Sequence, residues 1–287
     1  MPLCSWCLVT TRSQSFECGD VSIEALVEGS GPLVVMIASL GRPAQDFDDL
    51  SRRVAAAGFA AVRLQPRGIG KSAGPMLGTS LADLAGDVAI VVERLAGGPA
   101  VLIGHAFGQR VARMLATTRP DLVKGIVMLA AGGKVPVPQR AREALWGCFD
   151  LALPDDVHIE NVRYAFFAPA NDPTVWRSGW YPEVAQMQRA TTVGLDRNGP
   201  NAVQSGGGRA ASVDAWWAGG STPLLVIQGL QDAVALPENG RLLKAEFGDR
   251  VQLTEIDCAG HALLPEQPEI VATNVLAFLR GFHPLGN

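Results

Sequence analysis

Short apolar runs recur along the chain, each bounded by Gly, Pro or Asp and most followed by a stretch with helical spacing. Pro32–Ile37, Ala60–Leu64, Pro99–Ile103, Lys124–Ala130 and Pro223–Gly229 are near-continuous apolar segments, the pattern of strands buried on both faces. Asp20–Glu28 and Val251–Ile256 alternate instead, and the first reads as an edge strand. Between them, Asp46–Ala57 carries Phe47, Leu50, Val54 and Ala57 at helical spacing. A further helix opens at Ser80 or Thr79 as N-cap, with Leu81, Leu84, Val88, Val91 and Val92 on its inner face. This alternation predicts an α/β fold with a doubly wound, mostly parallel sheet of about eight strands and helices on both faces. Sheets of this kind bind ligands at the C-terminal ends of their strands.

The strongest chemical signal lies at the end of one apolar run. Gly104-His105-Ala106-Phe107-Gly108 follows a strand pattern and precedes the helix pattern Gln109–Ala116. Strand, Gly-flanked turn and helix is the setting of a nucleophile elbow, G-x-S-x-G, with alanine at the centre where a serine would stand. The glycines answer a steric need, because neighbouring Cβ atoms collide around so sharp a turn. An alanine methyl cannot attack a carbonyl, so the usual acyl-enzyme route through position 106 is closed. Downstream, Asp232 follows the Pro223–Gly229 strand, and Gly260-His261 follows the Val251–Ile256 strand.

Elbow, acid and histidine occur in that order, and over roughly residues 20–280 the chain resembles the α/β-hydrolase superfamily of serine-hydrolase type. The resemblance implies Asp232 as the acid and His261 as the base. It implies an oxyanion hole from the backbone N–H groups of Leu40 and Phe107, although Ala38-Ser39-Leu40-Gly41-Arg42 stands where the family usually carries His-Gly. Ser39 is a candidate polar group on the pocket wall. Gln65-Pro66-Arg67-Gly68-Ile69-Gly70-Lys71-Ser72 resembles the family's D-x-x-G-x-G-x-S loop, with Gln65 in place of the acid. His105 reads as a packing residue beside the sheet. Arg42 and Arg67 either meet a substrate carboxylate or are tied to Asp46 or Asp48.

From about 135 to 217 the alternation stops, and the stretch is punctuated by seven prolines, Pro136 and Pro138 through Pro200. The resemblance implies a largely helical cap over residues 135–217, inserted between core segments 1–134 and 218–287. Trp146, Trp176, Trp180, Trp216 and Trp217 fall in it, as do Phe149, Phe166 and Phe167. Aromatic rings offer large apolar contact area with few rotors to freeze, so Trp146, Phe167, Trp176 and Trp180 are candidate substrate contacts. The alternative is that they hold the cap together. The Gln204–Gly208 run reads as a hinge or lid edge.

Composition narrows the picture further. With 287 residues and 48% hydrophobic composition, the chain can bury a large core as one α/β domain. A net charge of −4 argues against a nucleic-acid partner. No apolar run is long enough for a transmembrane helix, and the N-terminus lacks the basic region of a signal peptide. The expected compartment is the reducing cytoplasm, and the expected partner is a small molecule; a homodimer is left open. Cys4 and Cys7 form a lone C-x-x-C with no second pair, so no metal and no cofactor is expected. Cys18, Cys148 and Cys258 read as scattered buried thiols.

Three explanations of Ala106 follow. The chain is a hydrolase of an ester, lactone or similar carbonyl bond of an apolar or aromatic molecule, with its nucleophile replaced, as in a substrate-trapping variant or inactive form. Alternatively, alanine is native and His261 with Asp232 performs general-base chemistry, as in lyases or cofactor-free oxygenases of the family. The third explanation is a small-molecule-binding protein without catalysis.

Overall fold

The computed structural model describes residues 10–95, 98–192 and 210–282. The Cys4/Cys7 pair and the Gln204–Gly208 run lie outside the described residues. The strands are β1 Arg12–Cys18, β2 Val21–Glu28, β3 Leu33–Ile37, β4 Ala60–Leu64, β5 Ala100–His105, β6 Val123–Leu129, β7 Leu224–Gly229 and β8 Val251–Ile256. The helices are α1 Asp48–Ala56, α2 Leu81–Arg94, α3 Phe107–Thr118, α4 Gln139–Gly147, α5 Asp155–Phe166, α6 Pro182–Ala190, α7 Glu238–Phe247, α8 Leu263–Glu266 and α9 Pro268–Arg280. The strands form one sheet in the order β1-β2-β4-β3-β5-β6-β7-β8. β1 and β2 are antiparallel to their neighbours, and β4 through β8 run parallel.

The period-two alternation of each strand separates two cores. Leu33, Val35 and Ile37 of β3 pack with Leu81, Leu84 and Val88 of α2 and with Val111 and Leu115 of α3. Val34 and Met36 face the other way, towards Leu50 and Val54 of α1 and Val271, Val275 and Leu279 of α9. This is an α/β-hydrolase fold, with helices on both faces of a mostly parallel sheet. Ser80 closes a capping box with Asp83 at the start of α2, which ends the loop from β4 and starts the helix in register.

Three expectations need correction. Asp20–Glu28 is not the edge strand: β1 lies outside β2, and only Phe16 of β1 is buried, so apolar patterning could not reveal it. Trp216 and Trp217 do not belong with the cap aromatics. They join the α2/α3-side core, where the guanidinium of Arg113 lies 4.6 and 4.8 Å from their rings. Cys148 is buried, but Cys18 and Cys258 are exposed. Within 135–217 the described residues form α4, α5 and α6 with short 3₁₀ turns, around a separate aromatic cluster that includes Phe149, Phe166, Phe167, Trp176 and Trp180. Among the described residues no helix is long and apolar enough to cross a membrane.

The close approach of β3 to α3 sets the position of the elbow. Ile37 pairs with Gly104 across the sheet, and a Cβ on Gly108 would sit 2.1 Å from the Ile37 carbonyl oxygen and 2.7 Å from that of Ala38. Relief requires β3 and α3 to move apart, an overpacking cost of roughly 2–3 kcal/mol. The Gly108→Ala variant is therefore expected to melt roughly 5–10 °C below the unmutated chain. A thermal melt with no shift would show that this contact does not constrain the fold.

Candidate active site

β5 ends at His105, and α3 begins at Phe107. A single residue, Ala106, turns the chain between them, with φ 46° and ψ −102°. Positive φ at a residue with a Cβ costs roughly 1–3 kcal/mol and persists only where the surroundings impose it. Here the Ala106 amide donates to the Leu129 carbonyl at 2.8 Å. On the inside of the turn, a Cβ on Gly104 would lie 2.3 Å from the Gln109 nitrogen. The strained residue faces a cavity of about 230 Å³ at the C-terminal ends of the strands.

His261 lies on the same cavity wall. Its Nδ1–H donates to Oδ2 of Asp232 at 2.8 Å, and both side chains are buried. The other carboxylate oxygen of Asp232 accepts from the amides of Val234 and Ala235 at 2.8 and 2.7 Å. With both oxygens occupied the carboxylate cannot rotate, so the imidazole is held with Nε2 unprotonated and free of the acid, as a base requires. The loop carrying His261 is fixed on three sides. The Ala262 amide donates to the Phe166 carbonyl at 2.8 Å. The Gly260 amide donates to Glu266 at 2.8 Å, and the other oxygen of Glu266 accepts from the Ala168 amide at 2.7 Å. Burial raises the Glu266 pKa above the ordinary carboxylate value, against the lowering effect of these donors.

The third side is His105. It is fully buried and its Nε2 lies 2.8 Å from the His261 carbonyl oxygen. A carbonyl can only accept, so Nε2 carries the proton. Desolvation, aided by the neighbouring His261, pushes the His105 pKa down to about 3. His105 is thus a neutral strut beneath the base, in keeping with a packing role.

The segment after β3 is pinned to α6 and to Tyr181 just before it. The Gly41 amide donates to Oε1 of Gln188 on α6 at 2.7 Å, and the Gly41 carbonyl accepts from the Tyr181 amide at 3.0 Å. Leu40, Phe107 and Ser39 all line the cavity. Among the described residues neither the Leu40 nor the Phe107 amide has an acceptor, so two N–H donors remain available beside Ala106. Of the aromatic candidates, Trp146 lines the cavity. Phe167, Trp176 and Trp180 do not; they pack inside the cap.

Arg42 also lies outside the cavity. Its guanidinium is clamped by two bonds to Asp46 at 2.8 and 2.7 Å and donates to the Ser178 carbonyl at 2.8 Å. It is sandwiched between Trp176 and Trp180, 4.4 and 4.5 Å from their centroids. Three of its five N–H groups are used in this way and both its faces are stacked, so the guanidinium is held away from the cavity. Arg67 is likewise spent, on Asp87 at 2.7 Å rather than on Asp46 or Asp48. Sequence reasoning missed the wall residues Arg110, Leu145 and Phe166. Arg110 was legible in principle, since it lies one helical turn beyond the elbow. Among the described residues no group of three or more His, Cys, Asp or Glu is arranged to hold a metal ion.

The family model described as serine aminopeptidase, S33, matches residues 31–268. The chain belongs to this hydrolase family. The match spans the elbow, Asp232 and His261. Among curated relatives, 2-(acetamidomethylene)succinate hydrolase of Mesorhizobium japonicum is 31% identical over 117 residues, 41% of this chain and 42% of that protein. RutD of Rhizobium rhizogenes, assigned as a carbamate hydrolase, is 26% identical over 231 residues, 77% of this chain and 83% of that protein. Among solved structures, an esterase from Exiguobacterium antarcticum superposes with a TM-score of 0.74 at 16% identity, over 94% of this chain and 100% of that one. The last likeness concerns the fold alone.

The buried His105 makes folding pH-dependent. Unfolded, the residue titrates near 6.5; folded, near 3. Between those values the unfolded chain holds the extra proton, so stability falls as pH drops below about 6.5, by up to about 1.4 kcal/mol per pH unit from this residue. A His105→Phe variant, which cannot titrate, should lose stability less steeply than the unmutated chain between pH 6.5 and 5. Parallel melting curves for the two proteins would contradict the assignment.

Proposed function

We propose that this site is built for hydrolysis of a carboxylic ester, lactone or similar carbonyl bond of a small, largely apolar molecule, and that Ala106 stands at the nucleophile position of an otherwise equipped site. The observation that carries the reading is the convergence on one cavity of the strained elbow, the Asp232–His261 pair and two amides without acceptors. In the complete reaction a hydroxyl at position 106 would attack the carbonyl carbon while His261 Nε2 takes its proton. The oxyanion would be met by the Leu40 and Phe107 N–H groups, and the imidazolium would then protonate the leaving alkoxide. Asp232 would keep the imidazole in the right tautomer and stabilise its charged form. Trp146, Phe166 and Leu145 supply apolar walls suited to an aliphatic or aryl group. With Ala106 the chain binds such a substrate but has no route to an acyl-enzyme.

The test is restoration. An Ala106→Ser variant should hydrolyse p-nitrophenyl acetate or butyrate at least roughly a thousandfold faster than the chain with Ala106, and adding His261→Ala should abolish the gain. Failure of Ala106→Ser to gain activity, or a gain that survives loss of His261, would refute the reading. Turnover by the unmutated chain that disappears with His261→Ala would instead favour base chemistry without a nucleophile.

A further inference from the structure

The charges around the cavity are one-sided. Arg110, Lys134, Arg142 and Arg189 line it, and among the described residues no Asp or Glu does. Lys134 is neutralised by Glu246 at 2.7 Å. Arg189 projects from the cap helix α6 and stacks on Trp146, 4.4 Å from the ring centroid. Arg110 belongs to the first turn of α3, immediately past the elbow, and its nearest aromatic partner is Trp216 at 5.7 Å.

Arg110 is the anomaly. Its Nε is buried without a hydrogen-bond partner, and among the described residues no carboxylate faces the guanidinium. Desolvation pushes its pKa down to about 10, so it remains charged at neutral pH. Arg113, one turn further along α3, adds a fully buried positive charge. Arg113 is stabilised by the carbonyls of Gly132 and Trp217 at 2.8 and 3.1 Å, whereas Arg110 has no such acceptor among the described residues. Arg110 is half-buried on the cavity wall with its Nε out of reach of any partner among the described residues, and a substrate anion in the cavity would supply the missing acceptor. A planar carboxylate suits the guanidinium fork, accepting two parallel N–H bonds.

We infer that the substrate of this cavity carries a carboxylate, and that Arg110 binds it, with Arg189 adding positive field from the cap side. The inference rests on the reading of the cavity as the substrate pocket. Arg110 lies four residues beyond Ala106, about 6 Å along the helix axis at the usual rise. That separation suits an anion a few carbons from the scissile carbonyl, as in a half-ester of a short dicarboxylic acid.

The experiment uses the chain as it stands, which binds without cleaving. Isothermal titration with monophenyl glutarate and with its neutral methyl ester should give at least roughly tenfold tighter binding of the anion. Arg110→Gln should erase that preference, and Arg110→Lys should retain part of it. Equal affinities in the unmutated chain, a preference untouched by Arg110→Gln, or no binding of either compound would each overturn the proposal. If Arg110→Gln fails to fold, the comparison of the two ligands in the unmutated chain and in Arg189→Gln still decides, since a partial loss of preference is expected there. Turnover is scored separately in Ala106→Ser. Anion-selective binding without any cleavage in that variant would sink the hydrolase reading and leave the anion site standing. Cleavage of both esters without anion preference would sink the anion site alone.

Discussion

The backbone at Ala106, held at φ 46°, is the constraint around which the site is organised. A chain that leaves a central parallel strand and turns directly into a helix has no room for side chains on the inside of the turn. Gly104 and Gly108 remove them, and this allows α3 to touch the carbonyls at the end of β3. Two consequences follow from that contact. The N-terminus of α3, with its unspent amides and positive dipole end, is aimed at the cavity. The segment after β3, carrying Leu40, is brought alongside it. A nucleophile position and a pair of candidate oxyanion donors thus arise from one steric arrangement, whatever residue occupies position 106.

The rest of the site works by tying the acid and the loops around His261 to backbone and side-chain partners. Asp232 spends one oxygen on two amides and the other on His261. Glu266 joins the His261 loop to Ala168 just after α5, and Gln188 joins α6 to the loop after β3. Two histidines illustrate how environment decides role. His105 and His261 lie with ring centroids 5.4 Å apart. One has no carboxylate and is sealed in the core as a neutral strut, while the other has an acid at Nδ1 and an open edge on the cavity. Against this background Arg110 stands out, because among the described residues its guanidinium meets neither a carboxylate nor a carbonyl, whereas Arg42, Arg63 and Arg67 each have a carboxylate and Arg113 has two carbonyls.

Much of the fold was readable because central parallel strands are apolar on both faces, and runs such as Leu33–Ile37 and Ala100–Ile103 announce themselves. β1 was not, since a solvent-facing edge strand held by backbone pairing leaves no apolar signature. Motif order pointed to Ala106, Asp232 and His261, and the structure places Ala106 and His261 on one cavity with Asp232 bonded to His261 behind it. The cap was harder. Trp176 and Trp180 read as pocket residues, but their faces are taken by Arg42, and aromatic composition cannot say which side of a helical insertion a ring occupies. Arg110 was overlooked because an arginine near a helix start looks like surface; its spacing from the elbow was the available signal, and among the described residues the lack of a carboxylate around it marks it out in three dimensions.

The central claim is that Ala106, the two amides and His261 surround the position of a scissile carbonyl. The most direct measurement is a crystal structure of the chain soaked with an intact aryl ester. The account predicts an uncleaved ester with its carbonyl oxygen roughly 2.7–3.1 Å from both the Leu40 and Phe107 nitrogens and its carbonyl carbon against the Ala106 methyl. An ester bound with its carbonyl turned away from these amides, or seated outside the cavity, would contradict it.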